Sequence, residues 1–166
     1  MSIALLDAVY SACAGSSFFQ GALAADPNIA VDPPPAIFAA HANFLPPVFD
    51  CLTYALSVST PDRRFDAAVQ GGYAEPVESL RVDFAYYTRG ADTAPIEAAL
   101  GAGGALDALF RYGPQIALSQ NGQAAGTIFK ALCATRKLDL FDDKLHALFG
   151  VSSYLFYLQL PAVNAS

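Results

Sequence analysis

Two histidines, His41 and His146, and three cysteines, Cys13, Cys51 and Cys133, are the residues best suited to acid–base, nucleophilic or metal chemistry in this chain. On paper, Ser152, His146 and Asp143 make a Ser-His-Asp set for acyl transfer, with Ser153 as the alternative nucleophile. That chemistry wants the serine on a sharp strand-to-helix turn. The stretch GVSSY lacks the elbow pattern, and its neighbours suit a strand. His146 therefore reads as a surface histidine beside a turn. Glu75, Glu78 and Asp83 do not pair at a spacing that implies general acid–base work.

Metal chemistry is no better supported. No two of the cysteines and histidines have finger-like or helix-face spacing. Asp139, Asp142 and Asp143 lack the glycine and glutamate of a calcium loop, so they read as a solvated turn. The run GAGGAL at 101–106 lacks the Lys-Ser/Thr ending of a phosphate loop. It is expected inside a helix, where close packing on a sheet accounts for the glycines. The expectation is no catalytic residue, no cofactor and no metal, and a protein that is not an enzyme.

Composition narrows the class further. The 166 residues suggest one domain over 1–166. Hydrophobic residues make up 54% and charged residues 14%, well below the usual quarter. Such a chain hides more surface than a lone monomer would. The net charge is −6, and no run of Lys or Arg exists to follow phosphates. An acidic surface does suit a channel that passes DNA without holding it. An odd number of scattered cysteines argues for reduced thiols in a cytosolic compartment. The start MSIALLDAVYSACAG has no basic segment and is interrupted by Asp7, so it does not read as a signal peptide.

The elements that must position these residues follow from periodicity. Residues 2–24 predict a helix that weakens or breaks at Gly15–Ser17. Residues 25–47 carry six of the eleven prolines and predict an irregular loop, with a short helical turn at Ala36–Ala40. VFDCLTYALSVST alternates at period two and predicts a strand, followed by a polar loop containing Arg63 and Arg64. In SLRVDFAYYTRG, Leu80, Val82, Phe84 and Tyr86 form the clearest buried strand face. A helix capped by Asp92 or Thr93 is expected to run on to Phe110.

Asn121-Gly122 is a strong hairpin signal, because a type I′ turn needs positive φ at both central residues. A β-ribbon is expected around 116–129. The apolar stretch after Ala147 contains Gly150, two serines, Gln159 and Pro161, with no basic flank. It predicts a strand, and not a membrane span. The fold class is α+β: an antiparallel-leaning sheet with helices on one face and an extra hairpin at 116–129.

The order of these elements resembles that of the tail terminator, or tail completion, proteins of long-tailed bacteriophages and related gene-transfer particles. The likeness runs from LLDAVYSACAG through FLPPVFDCLTYALSVS and ESLRVDFAYYTRGADTAPIEAALGAGGALDALF to ATRKLDLFDDKLHALFGVSSYLFYL. It is strongest over Arg136–Tyr157, where a charged strand enters an acidic turn and an aromatic strand follows. The resemblance implies a virion protein at the head–tail junction, assembled in the host cytoplasm. It implies a self-associated ring, a hexamer, that caps the tail tube and ends its growth. The partners would be the tail tube protein, the portal-side neck proteins of the head connector, and DNA passing through the lumen without specific binding. No membrane is implied. The segment QIALSQNGQAAGTIF looks longer than the family's usual connection there, and an extra ribbon would add contacts to a ring neighbour or to the tube.

Two other readings stay open. One is a different neck component, for head completion or head-to-tail joining. The other is a small cytosolic α+β domain that binds a ligand between helix and sheet. The interface residues expected are Asn121 and Gly122 at the ribbon tip, and Arg63 and Arg64 in the polar loop.

Overall fold

The computed structural model describes residues 2–41, 43–57 and 77–160. Two helices, α1 (Ser2–Ala14) and α2 (Ser17–Ala22), are followed by strands β1 (Ile37–Ala39), β2 (Cys51–Leu56) and β3 (Val77–Thr88). Helix α3 (Ala94–Leu100) and a π-helical turn (Asp107–Arg111) lead to β4 (Ile116–Gln120), β5 (Gln123–Asp142) and β6 (Ala147–Gln159). The strands form one sheet in the order β1-β2-β3-β6-β5-β4. All pairs are antiparallel except β1 with β2. The fold is α+β, as the periodicities imply.

The core lies between this sheet and the helices. Val82, Phe84 and Tyr86 of β3 and Tyr154, Phe156 and Leu158 of β6 are almost wholly buried. They join Leu5, Val9 and Cys13 of α1, Ile96 and Leu100 of α3, and Phe110 of the π-turn. Phe110 meets Phe84, Tyr154 and Phe156 at centroid distances of 5.9, 6.2 and 5.1 Å. The opposite face of β3, bearing Arg81, Asp83, Ala85 and Tyr87, is half-buried. That alternation is the one read from SLRVDFAYYTRG.

The break between α1 and α2 falls at Gly15–Ser16, where the N-terminal helix is weakest. Three expectations need correction. Ala36–Ala40 is no helical turn, because Ile37–Ala39 is extended and pairs parallel with Leu52–Tyr54. Pairing with a neighbouring strand decides its conformation, which local propensity cannot report. The strand expected from Val48 begins only at Cys51. The helix after Asp92 stops at Leu100, and the chain turns through 101–104 before the π-turn. The glycines therefore end a helix instead of packing it. Close packing occurs elsewhere: a Cβ on Gly150 would collide with Ile96 Cγ2 and come within 3.1 Å of Leu138 Cα. Gly150 thus lets α3 lie down on β6.

The stretch from Ala147 is strand β6, and among the described residues no helix is long and apolar enough to cross a membrane. The ribbon at 116–129 is also present, and its second strand runs on without interruption to Asp142.

Candidate assembly surface

β5 is 20 residues long. At about 3.3 Å per residue it would reach roughly 65 Å if straight. Its first residues, Gln123–Ile128, pair with β4, and Thr127–Asp142 pair with β6. Beyond Ile128, among the described residues, β5 has a strand on one side only. The ladder with β6 slips at Ile128/Lys130, Cys133/Thr135 and Lys137/Leu140. Each slip places extra residues on β5, and such bulges bend and twist a strand. The long hairpin is thereby curled around the core.

This half-open edge gathers exposed apolar surface. Phe129, Leu132 and Phe141 are 37%, 38% and 55% exposed. Ala134 and Thr135, at the second slip, are both exposed. Both signs of charge occur along the same edge and in the turn after it, where exposed Lys144 follows Asp143. Lys130 and Lys137 precede Asp139, Asp142 and Asp143. Asp142 closes the following turn by accepting the Lys144 and Leu145 amides at 2.9 and 3.0 Å.

Arg136 is the exception on this strand, because it turns into the protein. Its Nη2 donates to Asp107 Oδ1 at 2.6 Å, and its Nε donates to the Leu100 carbonyl at 2.9 Å. Tyr154 also donates to Asp107 Oδ1, at 2.5 Å. The other carboxylate oxygen accepts the Gly103 amide at 2.9 Å and Arg111 Nη1 at 3.4 Å. Burial pushes the Asp107 carboxyl upward. The Tyr154 hydroxyl, the Gly103 amide and the two arginines outweigh it and hold the group below the usual carboxylate range. With both oxygens satisfied, the cluster offers no free acceptor to a substrate. It ties the π-turn and the end of α3 to β5 and β6.

A second polar set lies on the other face of the sheet. Ser153 donates to Asp83 Oδ1 at 2.5 Å and accepts from Arg81 Nη2 at 3.0 Å. Arg81 Nε reaches the same carboxylate at 3.3 Å. Farther along that face, Tyr87 stacks on Phe149 at 5.3 Å, and Arg89 covers Phe49 at 4.4 Å.

These placements separate the groups of the paper triad. His146 ends the exposed turn after β5, whereas Ser152 is wholly buried within β6. Six residues of extended chain between them amount to roughly 20 Å. Ser153 is engaged by Asp83 and Arg81. Cys13 and Cys51 are buried free thiols, and burial pushes the Cys51 thiol up to about 12. Among the described residues no group of three His, Cys, Asp or Glu is placed to hold a metal. Grooves of about 380 Å3 beside α1 and β4, and about 460 Å3 beside α2 and Pro33–Pro35, are lined largely by alanine and proline.

The chain matches no family model, no curated protein and no solved structure.

Of the expected interface residues, Asn121 and Gly122 form the exposed tip between β4 and β5, with φ of 52° and 76°. Arg63 and Arg64 lie outside the described residues. The open edge at 129–142 was not foreseen as a surface. Its signal was the continuous strand chemistry from the Asn121-Gly122 turn to Phe141, with no breaker strong enough to divide it.

Proposed function

We propose that this chain is a structural subunit of a virion neck, which self-associates into a ring on the head-proximal end of a tail tube. In this role it ends tube growth, meets the portal-side connector, and lets DNA pass without binding it. It performs no catalysis. One observation carries the reading: a 20-residue strand whose second half has, among the described residues, a strand neighbour on one side only, with apolar side chains exposed along it. Open edges of this kind are templates for a neighbouring chain. Low charge and high apolar content fit a subunit with permanent interfaces, which resemble a divided core. A ring arises when a heterologous contact closes on itself. The net charge of −6 fits a lumen that repels the DNA backbone.

Electron microscopy of the purified full chain, with its mass measured in solution, tests this reading. Closed rings of uniform size are the expected result. A monomer at every concentration contradicts it.

A further inference from the structure

We propose that Asn121, at the tip of the β4–β5 ribbon, is a site of spontaneous modification: the Gly122 nitrogen closes on its side chain and converts it to aspartate and isoaspartate. The chain has four asparagines, followed by Ile29, Phe44, Gly122 and Ala165. A side chain on the following residue crowds the attacking nitrogen, and Gly122 alone has none. A Cβ built on Gly122 meets nothing within 4 Å, so the approach is open. Asn121 and Gly122 are both exposed to water.

Water is the only co-reactant. The Gly122 nitrogen gives its proton to solvent and bonds to Asn121 Cγ. The Cγ–Nδ2 bond breaks, and the side-chain nitrogen leaves as ammonia. The resulting succinimide then takes up one water. Opening at Cγ leaves aspartate on a normal backbone. Opening at the main-chain carbonyl leaves isoaspartate, with the chain running through Cβ and Cγ.

The closed turn opposes this reaction. Asn121 is left-handed at φ 52°. In that region the following nitrogen stands anti to Cβ, out of reach of the side chain. The tip must therefore open first, and the fold makes opening easy. The β4–β5 ladder shifts register between Leu118 and Ser119. Leu118 is buried, whereas every residue from 119 to 124 is exposed. Beyond the shift the ladder consists of Ser119 with Ala124 and Gln120 with Gln123. Segments with few buried apolar contacts open at small cost, while the part anchored by Leu118 stays paired.

The two products differ in consequence. Aspartate tolerates the left-handed region as asparagine does, so the turn recloses with one more negative charge at its tip. Isoaspartate lengthens the backbone by a methylene, and a two-residue turn no longer fits. The tip then stays open. The inference goes beyond the neck proposal and holds for any location of the protein.

The test incubates the purified full chain at neutral and mildly alkaline pH, in ordinary and heavy-oxygen water, and maps its peptides by mass spectrometry with an isoaspartate assay. A urea-unfolded sample runs in parallel. Conversion is expected at Asn121 in the folded chain, more slowly than in the unfolded one, with Asn28 and Asn43 retained. It is expected to quicken as pH rises, because the nitrogen attacks in its deprotonated form, and to carry heavy oxygen into the product. Gly150→Ala, which weakens the fold far from the tip, is expected to leave the rate unchanged. A folded chain that keeps Asn121 intact while the unfolded chain converts overturns the proposal. Conversion at Asn28 or Asn43 ahead of Asn121 overturns it too. A rate that climbs in Gly150→Ala assigns the reaction to global unfolding and overturns the opening of the tip.

Discussion

Tyr154 on β6 donates its hydroxyl to Asp107 on the π-turn at 2.5 Å, across 47 residues of sequence. Arg136 on β5 reaches the same carboxylate oxygen at 2.6 Å. A wholly buried carboxylate is costly unless it is paired and fully hydrogen-bonded, and here it is both. The cluster fixes how the helical segment 94–111 sits on the two longest paired strands. It also orients the strand whose outer edge is the candidate surface.

Replacing Asp107 by Ala removes the acceptor shared by Tyr154, Arg136 and Arg111. It leaves Arg136 partly buried without its carboxylate, and a loss of about 3–5 kcal/mol of stability is expected. Denaturant unfolding monitored by circular dichroism checks this. Removing Asp107 and Arg136 together by apolar residues is expected to cost less than the sum of the single changes, since the two are coupled.

The same cluster makes stability depend on acid. Asp107 titrates below its ordinary 3.8 in the folded protein. A carboxyl depressed by folding contributes stability that is present above that ordinary value and is lost as pH falls through the folded value. Acid unfolding is therefore expected to steepen below about pH 4. Asp107→Asn is expected to flatten that part of the curve. Urea midpoints measured across the acid range decide it.

At alkaline pH the sign reverses in consequence. Burial raises Cys51 from 9.0 to about 12, and burial with the Asp107 hydrogen bond raises Tyr154 above 10.0. Groups raised by folding leave stability intact below their ordinary values and remove it as pH climbs toward the folded ones. Melting temperature is expected to hold steady up to pH 9 and to fall between there and about 12. A Cys51→Ala variant is expected to lose less over that window.

Ser152 Oγ is buried with no hydrogen-bond partner. Ser152→Ala removes an unsatisfied polar atom and is expected to stabilise the fold by about 1 kcal/mol. Gly150→Ala, two residues earlier on the same strand, is expected to do the opposite. Its added methyl meets Ile96 and the β5 backbone, so about 1–3 kcal/mol is lost as α3 lifts from β6. Thermal melts of the pair, run side by side, test both signs.

Particular residues explain how much of this was legible in the sequence. Leu80, Val82, Phe84 and Tyr86 alternate without interruption, so their buried face could be read directly. Asn121-Gly122 announced a turn because few other pairs accept positive φ at both positions. The extended Ile37–Ala39 could not be read, since its conformation depends on Leu52–Tyr54 lying beside it. Asp107 carries no local mark of burial either. Its main partners are 29 and 47 residues away, and only the folded chain brings them together. The open edge was hidden for a related reason. A strand's residues show that it is a strand, but a missing neighbour belongs to the sheet's topology.

The neck role is tested most directly by immunogold electron microscopy of particles from the source organism, using an antibody to this protein. The account predicts label confined to the junction between head and tail. Particles that carry no label, with the protein free in the cytosol, would contradict it.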